Sequence, residues 1–257
     1  MIRGLYTAAS GMIAQMQRTD VISNNLANIN TCGFKKDLTV FREYPKKSIF
    51  RINDPEEQPP AGRVCSTPFI GSLGTGTQLD EVYTLHNQGQ LRETKNPLDL
   101  ALRGEGFFAV MTEQGLMLTR DGSFSMDAEG FLVTKDGHQV MGEKGPIFIE
   151  GSEIKINENG EIRVDSYYVD KLMVLDVPEK SRLQKVGDNL YSVTESSGET
   201  YPANPHVLQG YVELANVNSV KEMINLITAM RAYEAGQRVI KTHDQTLEKT
   251  VNEIARI

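Results

Sequence analysis

From Ser219 to Ile257 the chain reads SVKEMINLITAMRAYEAGQRVIKTHDQTLEKTVNEIARI. Its apolar residues return every three or four positions: Met223, Leu226, Met230, Tyr233, Ile240, Leu247, Val251 and Ile254. Only Gln237 and Asp244 interrupt the series, so the pattern is the heptad seam of one long helix. Ser219-Val-Lys-Glu222 reads as a capping box, with Ser219 holding the Glu222 amide and the Glu222 carboxylate reaching back. A helix from Val220 to Ala255 would be about 54 Å long at 1.5 Å per residue, more than an isolated domain usually needs. Val220, Ile224 and Ile227 widen the apolar face beyond the seam, as expected of a helix that meets more than one neighbour.

The other end of the chain repeats the theme more weakly. Leu5, Ala9, Met12, Met16, Thr19, Ser23 and Leu26 keep the same rhythm, which predicts a helix from about Arg3 to Asn28. Ala8-Ala-Ser-Gly11 makes one turn slim, and Gly11 costs about 0.8–1 kcal/mol against alanine unless close packing compensates. Asn24, Asn25, Asn28 and Asn30 then compete with the helix by bonding nearby backbone, and Gly33 is a natural left-handed stop. Two terminal helices with open seams point to a subunit that completes its core with other copies.

Between the helices the pattern changes. From Phe34 to about Thr77, Pro45, Pro55, Pro59-Pro60 and Pro68 with several glycines indicate an extended connector with turns. Gly71-Ser-Leu-Gly74-Thr-Gly76 has the look of a phosphate-cradling loop, but neither a preceding apolar strand nor a following helix or Lys-Ser/Thr pair accompanies it. Beyond it, turn dipeptides at Glu105-Gly106, Gln114-Gly115, Asp121-Gly122, Glu129-Gly130 and Asp136-Gly137 bracket short strand-like runs. Those runs are Phe107–Met111, Leu116–Leu118, Phe131–Thr134 and Gln139–Met141, followed by Ile147–Ile149, Glu153–Ile156, Ile162–Val164, Leu172–Val177 and Leu190–Val193. Strands this short at this spacing make a compact antiparallel β domain, and the fold class is α+β.

Composition narrows the function. A formal net charge of −7 without a clustered basic face argues against nucleic-acid binding. The longest apolar run, Phe107 to Met111, is far short of the roughly 18–20 residues that span a bilayer, so no membrane insertion is expected. Ser10, Gly11, Gln15 and Gln17 break up any secretory h-region. Cys32 and Cys65 are too few for a disulfide framework and lack metal-ligand spacing.

The terminal segments resemble the flagellar rod and hook-basal body protein family. The resemblance is carried by Leu5-Tyr-Thr-Ala-Ala-Ser10-Gly-Met, Ser23-Asn-Asn-Leu-Ala-Asn28-Ile-Asn30-Thr31 and Gly33-Phe34-Lys35. At the other end it is carried by Asn216-Val-Asn218-Ser-Val220, Glu222-Met-Ile, Arg231-Ala-Tyr233-Glu234 and Asp244-Gln245. Gly89-Gln-Leu, Leu98-Asp-Leu-Ala, Gly104-Glu-Gly-Phe107-Phe108 and Thr119-Arg-Asp-Gly-Ser-Phe124 resemble the family's approach to its β domain and that domain's first strands. Length and connector are most similar to the distal rod protein and the Gram-positive rod-type paralogues. The chain departs from the family pattern at Cys32, Ala215, Met230 and Gly236, the last a glycine where a better helix former is usual.

The resemblance implies a structural subunit of the basal-body rod, needed for swimming. Its terminal helices would pair into a coiled-coil tube around the axial channel, with the β domain as an outer layer. It also implies export, unfolded, through the flagellar type III apparatus, with Ile2 and Leu5 where such signals act; open-seamed helices can stay disordered until neighbours bury them. The expected organisation is an N-terminal axial helix over 1–34, a connector over 35–77, a β-rich domain over 78–212 and a C-terminal axial helix over 213–257. Copies of the chain, other rod and hook axial proteins and the export apparatus are the expected partners.

No catalytic, cofactor or metal site is expected. His86, His138, His206 and His243 lack a second ligand at helical spacing, Asp121, Asp127 and Glu129 do not fit a calcium loop, and no Gly-x-Ser-x-Gly turn occurs. The competing reading is an extracytoplasmic β-domain binding module whose helical ends only oligomerise it.

Overall fold

A computed structural model describes residues 2–51, 69–151, 153–165, 167–194, 197–203 and 206–254, with the side chains of residues 2, 3, 253 and 254 left out of account. The seam position Ile254 and the export candidate Ile2 therefore lie outside the described side chains, and Cys65 with Pro55, Pro59, Pro60 and Pro68 lies outside the described residues. The chain divides into two compact units, one of residues 1–23, 39–82 and 223–257, the other of residues 24–38 and 83–222.

Helix α1 spans Ile2–Ala27 and helix α2 spans Ser219–Ile254, each within about a residue of the boundary that the apolar spacing predicts. In the first unit the helices run antiparallel: Gly4 meets His243 and Gly236 meets Met12. A Cβ on Gly236 would stand 2.6 Å from Met12 Cγ, so the mid-helix glycine exists because Met12 needs its space. His243 is a packing residue, its Nε2 3.1 Å from where a Gly4 side chain would begin. Both ends are thus helical and touching within one chain. Gly11 behaves differently, since nothing lies within 4 Å of a Cβ placed there.

The stretch expected as a connector is built of strands, two pairing within it and one with the strand that follows it. Strand β1 (Asp37–Glu43) pairs with β4 (Thr77–Thr84), and β2 (Lys46–Phe50) pairs antiparallel with β3 (Phe69–Gly74). Thr7 Oγ1 donates to Thr75 O at 2.6 Å and the Thr77 amide to Ser10 Oγ at 3.3 Å, so α1 rests on the turn between β3 and β4. Every residue of β2 is exposed, and Phe50 stacks edge-on against Phe69 at 5.8 Å.

The second unit holds the β domain. Its main sheet is antiparallel, ordered Gln184–Gly187, Leu190–Ser192, Gly115–Thr119, Phe107–Thr112, Gln139–Val140, Leu132–Val133 and Ser125–Met126. Val174–Asp176 pairs with both Phe107–Thr112 and Tyr201–Pro202. A three-stranded sheet of Ile154–Ile156, Glu161–Val164 and Tyr167–Lys171 is separate. Four of the five glycine-marked positions, Gly106, Gly115, Gly130 and Gly137, have positive φ; Asp121-Gly122 forms no turn, and Gly122 is small because a Cβ there would lie 1.6 Å from Leu100 O. Ile147–Ile149 contributes core side chains but only an isolated bridge, Phe131 to Phe148. Leu100, Leu102, Phe108, Val110, Leu132 and Ile162 are among the fully buried residues that fill the core.

The two helix glycines give a paired test. Gly11→Ala should stabilise α1 by up to about 1 kcal/mol in the isolated chain. Gly236→Ala should forfeit that gain, because displacing Met12 costs about 1–3 kcal/mol. Amide exchange over residues 8–16 measures both. Equal stabilisation by the two substitutions would mean that the antiparallel helix contact does not form.

Candidate functional site: a buried polar junction and open helix faces

The segment between α1 and β1 carries one strong charge after another, and the fold buries them. Lys35 is 1 % exposed; its Nζ donates to Glu213 Oε1 at 2.6 Å and to Asn87 O at 2.9 Å. Arg120 Nε donates to Glu213 Oε2 at 2.6 Å, and the Gly89 amide donates to Oε1 at 2.7 Å. One carboxylate therefore holds two cations and a backbone amide. Burial pushes the Lys35 ammonium below its ordinary value, and the Glu213 charge pulls it back.

Around this centre the motif residues fasten backbone to backbone. Buried Asn25 accepts from the Asp37 amide (2.9 Å) and donates to the Asp37 carbonyl (2.8 Å), imitating a neighbouring strand. Asn216 accepts from the Lys36 amide at 2.7 Å and donates to the Leu85 and Asn87 carbonyls at 2.7 and 3.1 Å. Gly33 has φ +68° and donates its amide to Glu213 O at 2.8 Å; a Cβ there would lie 2.3 Å from the Asp121 nitrogen, so glycine is required twice over. Lys185 Nζ lies 4.4 Å from the centroid of the buried Phe34 ring and pairs with both Asp37 oxygens at 2.8 and 2.9 Å.

The start of α2 corrects the expected capping box. Asn218, not Ser219, is the cap: its Oδ1 accepts from the Lys221 amide at 3.0 Å. Glu222 does not reach back, because its buried carboxylate pairs with Lys36. An ion pair out of water outcompetes a local cap.

The motif residues thus part company. Asn25, Gly33, Phe34 and Asn216 meet in the junction and Asn218 caps α2. Asn24, Asn28 and Thr31 form a local chain in which Asn28 Nδ2 donates to Asn24 Oδ1 at 2.6 Å and Thr31 Oγ1 to Asn28 Oδ1 at 3.2 Å. Asn30, Arg231 and Glu234 are exposed and Tyr233 is half-buried. Spacing alone does not reveal Glu213, Arg120 or Asp37, whose partners lie up to 178 residues away in the chain.

The seam residues lie on helices that bury little. Only Ala14, Ile22, Asn25, Ala229 and Glu222 are buried among the helical residues whose side chains are described. Leu5, Ala9, Met12, Leu26, Leu226, Tyr233, Ile240 and Leu247 are half-buried, while Met16, Met223, Met230 and Val251 are 45–63 % exposed. Tyr6, Ile13, Val220, Ile224, Ile227 and Val239 are exposed too, as are Phe50, Phe69, Ile70 and Leu73 of the β2–β3 ribbon, which periodicity reading misses. A groove of ≈ 560 Å³ lined by Tyr6, Ile13, Ala14, Tyr44 and Leu79 runs beside α1. The helices and the β2–β3 ribbon thus leave much apolar surface uncovered. Among the described residues no group of three His, Cys, Asp or Glu side chains is placed to hold a metal, and no helix is long and apolar enough to cross a membrane.

Comparison with known proteins now gives this arrangement its setting. Residues 5–35 match the flagella basal body rod protein model, 101–164 the flagellar hook protein FlgE/F/G D1 domain and 208–253 the flagellar basal body rod FlgEFG protein C-terminal model. The flagellar hook-basal body complex protein FlhO of Bacillus subtilis is 32 % identical over 100 % of both chains. The flagellar basal-body rod protein FlgG of Agrobacterium fabrum is 35 % identical over 95 % of this chain and 96 % of its own, and that of Caulobacter vibrioides 35 % over 97 % and 98 %. The chain belongs to the flagellar basal-body rod family. That family consists of structural proteins of the flagellar basal body, not enzymes.

Glu213→Gln tests the junction. It strips the charge that pairs Lys35 and Arg120, and the loss should be about 3–5 kcal/mol in denaturant unfolding of the β domain. A loss below about 1 kcal/mol would show that the carboxylate does not hold the two cations.

Proposed function

We propose that this protein is a rod subunit that polymerises through its terminal helices with copies of itself and with other rod and hook axial proteins. The observation that carries the reading is the exposed apolar face of α1 and α2: Met16, Met223, Met230 and Val251 remain uncovered although the helices already touch. A repeating neighbour supplies the missing side of each seam, and burying one such side chain contributes about 1.5–3 kcal/mol in every subunit. In this reading the segments 1–34 and 213–257 are axial, 35–77 connects them and 78–212 forms the outer layer. Delivery is by the flagellar type III apparatus, with Ile2 and Leu5 in its recognition segment, and the assembled rod supports swimming.

Met230→Asp separates assembly from folding. Met230 is 53 % exposed, so the substitution should leave the β domain's melting temperature almost unmoved. In the polymer it puts a carboxylate into a helix interface, where desolvation adds several kcal/mol. Cells should make and export the variant but build no complete rod and not swim, while Lys249→Asp, at an exposed position, should be mild. Full motility of the Met230→Asp strain overturns the assembly role. Deleting residues 2–8 should leave the protein in the cytoplasm with its β domain intact, and normal secretion of that truncation overturns the export reading.

A further inference from the structure

The loop 85–89 is strapped down at every second residue. Leu85 donates its amide to Lys36 O at 2.8 Å and accepts from Asn216, Asn87 O accepts from Lys35 and Asn216, and the Gly89 amide is held by Glu213. Between these ties His86 drives its ring into an aromatic cage, edge-on to Phe107 at 5.5 Å and to Tyr191 at 5.2 Å. Both ring nitrogens are buried and neither has a hydrogen-bond partner; the hydroxyl of Tyr191, whose ring packs against His86, is also without one. Unpaired polar atoms in a core are costly, and three in one place need an explanation.

The charges facing the ring come from four elements. Lys35 lies on the segment after α1, Lys180 on the short 3-10 turn Lys180–Arg182, Lys185 on strand Gln184–Gly187 and Asp37 on β1. The one anion is already taken: Asp37 pairs with Lys185 through both oxygens and accepts from Thr84 Oγ1 at 2.7 Å. An imidazolium formed in the cage would meet three ammonium groups and no unpaired anion. The cage therefore favours the neutral ring.

We propose that His86 is an acid-released latch, whose protonation withdraws the ring from between Phe107 and Tyr191 and loosens the hold of the 85–89 loop on residues 35–37. The direction of the effect follows from linkage. Burial first, then Lys35, Lys185 and Lys180, lower the caged ring from 6.5 to about 4. The released ring takes up its proton near 6.5, so the released state binds more protons between these values and is favoured as pH falls. Well inside that window the release equilibrium rises about tenfold per pH unit, and well above pH 6.5 protonation no longer favours release.

Native-state amide exchange of the full-length protein, corrected for intrinsic rates, tests the latch at pH 6.5 and 4.5. The opening equilibrium of residues 85–89 and 35–37 should rise about 40-fold, while amides of strand Phe107–Thr112 stay protected. His86→Phe, which keeps a ring in the cage but cannot titrate, should abolish the rise; Tyr191→Phe should keep it. A flat response in the native protein, the same rise in His86→Phe, or a loss of protection spread evenly over the main sheet would overturn the proposal. Should His86→Phe not fold, NMR titration of the native ring decides: a ring neutral at pH 5 supports the latch, and one titrating near 6.5 in the folded protein rejects it.

Discussion

The second unit hangs on one carboxylate. Glu213 lies immediately before the run into α2, yet its two oxygens are shared by Lys35 from beyond α1, Arg120 from the β domain and the amide of Gly89. Removing water from three charges is expensive, and it is tolerated only where the geometry leaves none of them unpaired. That demand propagates outward. Gly33 must be glycine for the chain to pass Asp121, Asn25 must turn back onto Asp37, and Asn216 must clasp Lys36 and the 85–89 loop. The helices make no such demand over most of their own surface.

Burial is consequently divided unevenly along the chain. The β domain and the junction bury their charges and their aromatic residues, whereas the helices leave methionines, isoleucines and valines uncovered. A monomer gains little from those side chains, which is why the proposed assembly rests on them. Met12 against Gly236 shows the one place described here where the helices come close enough to require a missing side chain.

Periodicity carried most of the reading of the helices, because a 3.6-residue rhythm is a local property and both helices begin and end about where it does. Glycine-marked turns did the same for the β domain. The capping box failed for a physical reason: a local hydrogen bond at Ser219 lost to the pairing of Glu222 with Lys36, 186 residues away. The junction itself was invisible for the same cause, since Lys35 and Glu222 could be quoted within motifs but not joined to partners. The β2–β3 ribbon escaped notice because Lys46-Lys-Ser-Ile-Phe50 neither alternates nor buries any residue.

The path of the backbone has a mechanical meaning. It passes from one compact unit to the other after residues 23, 38, 82 and 222, four times in all. A pair of domains joined by a single linker transmits force through one covalent thread, and a single cut separates them. Here a pull or twist between the units is divided among four threads, so the load on each falls and no one severed peptide bond can part them.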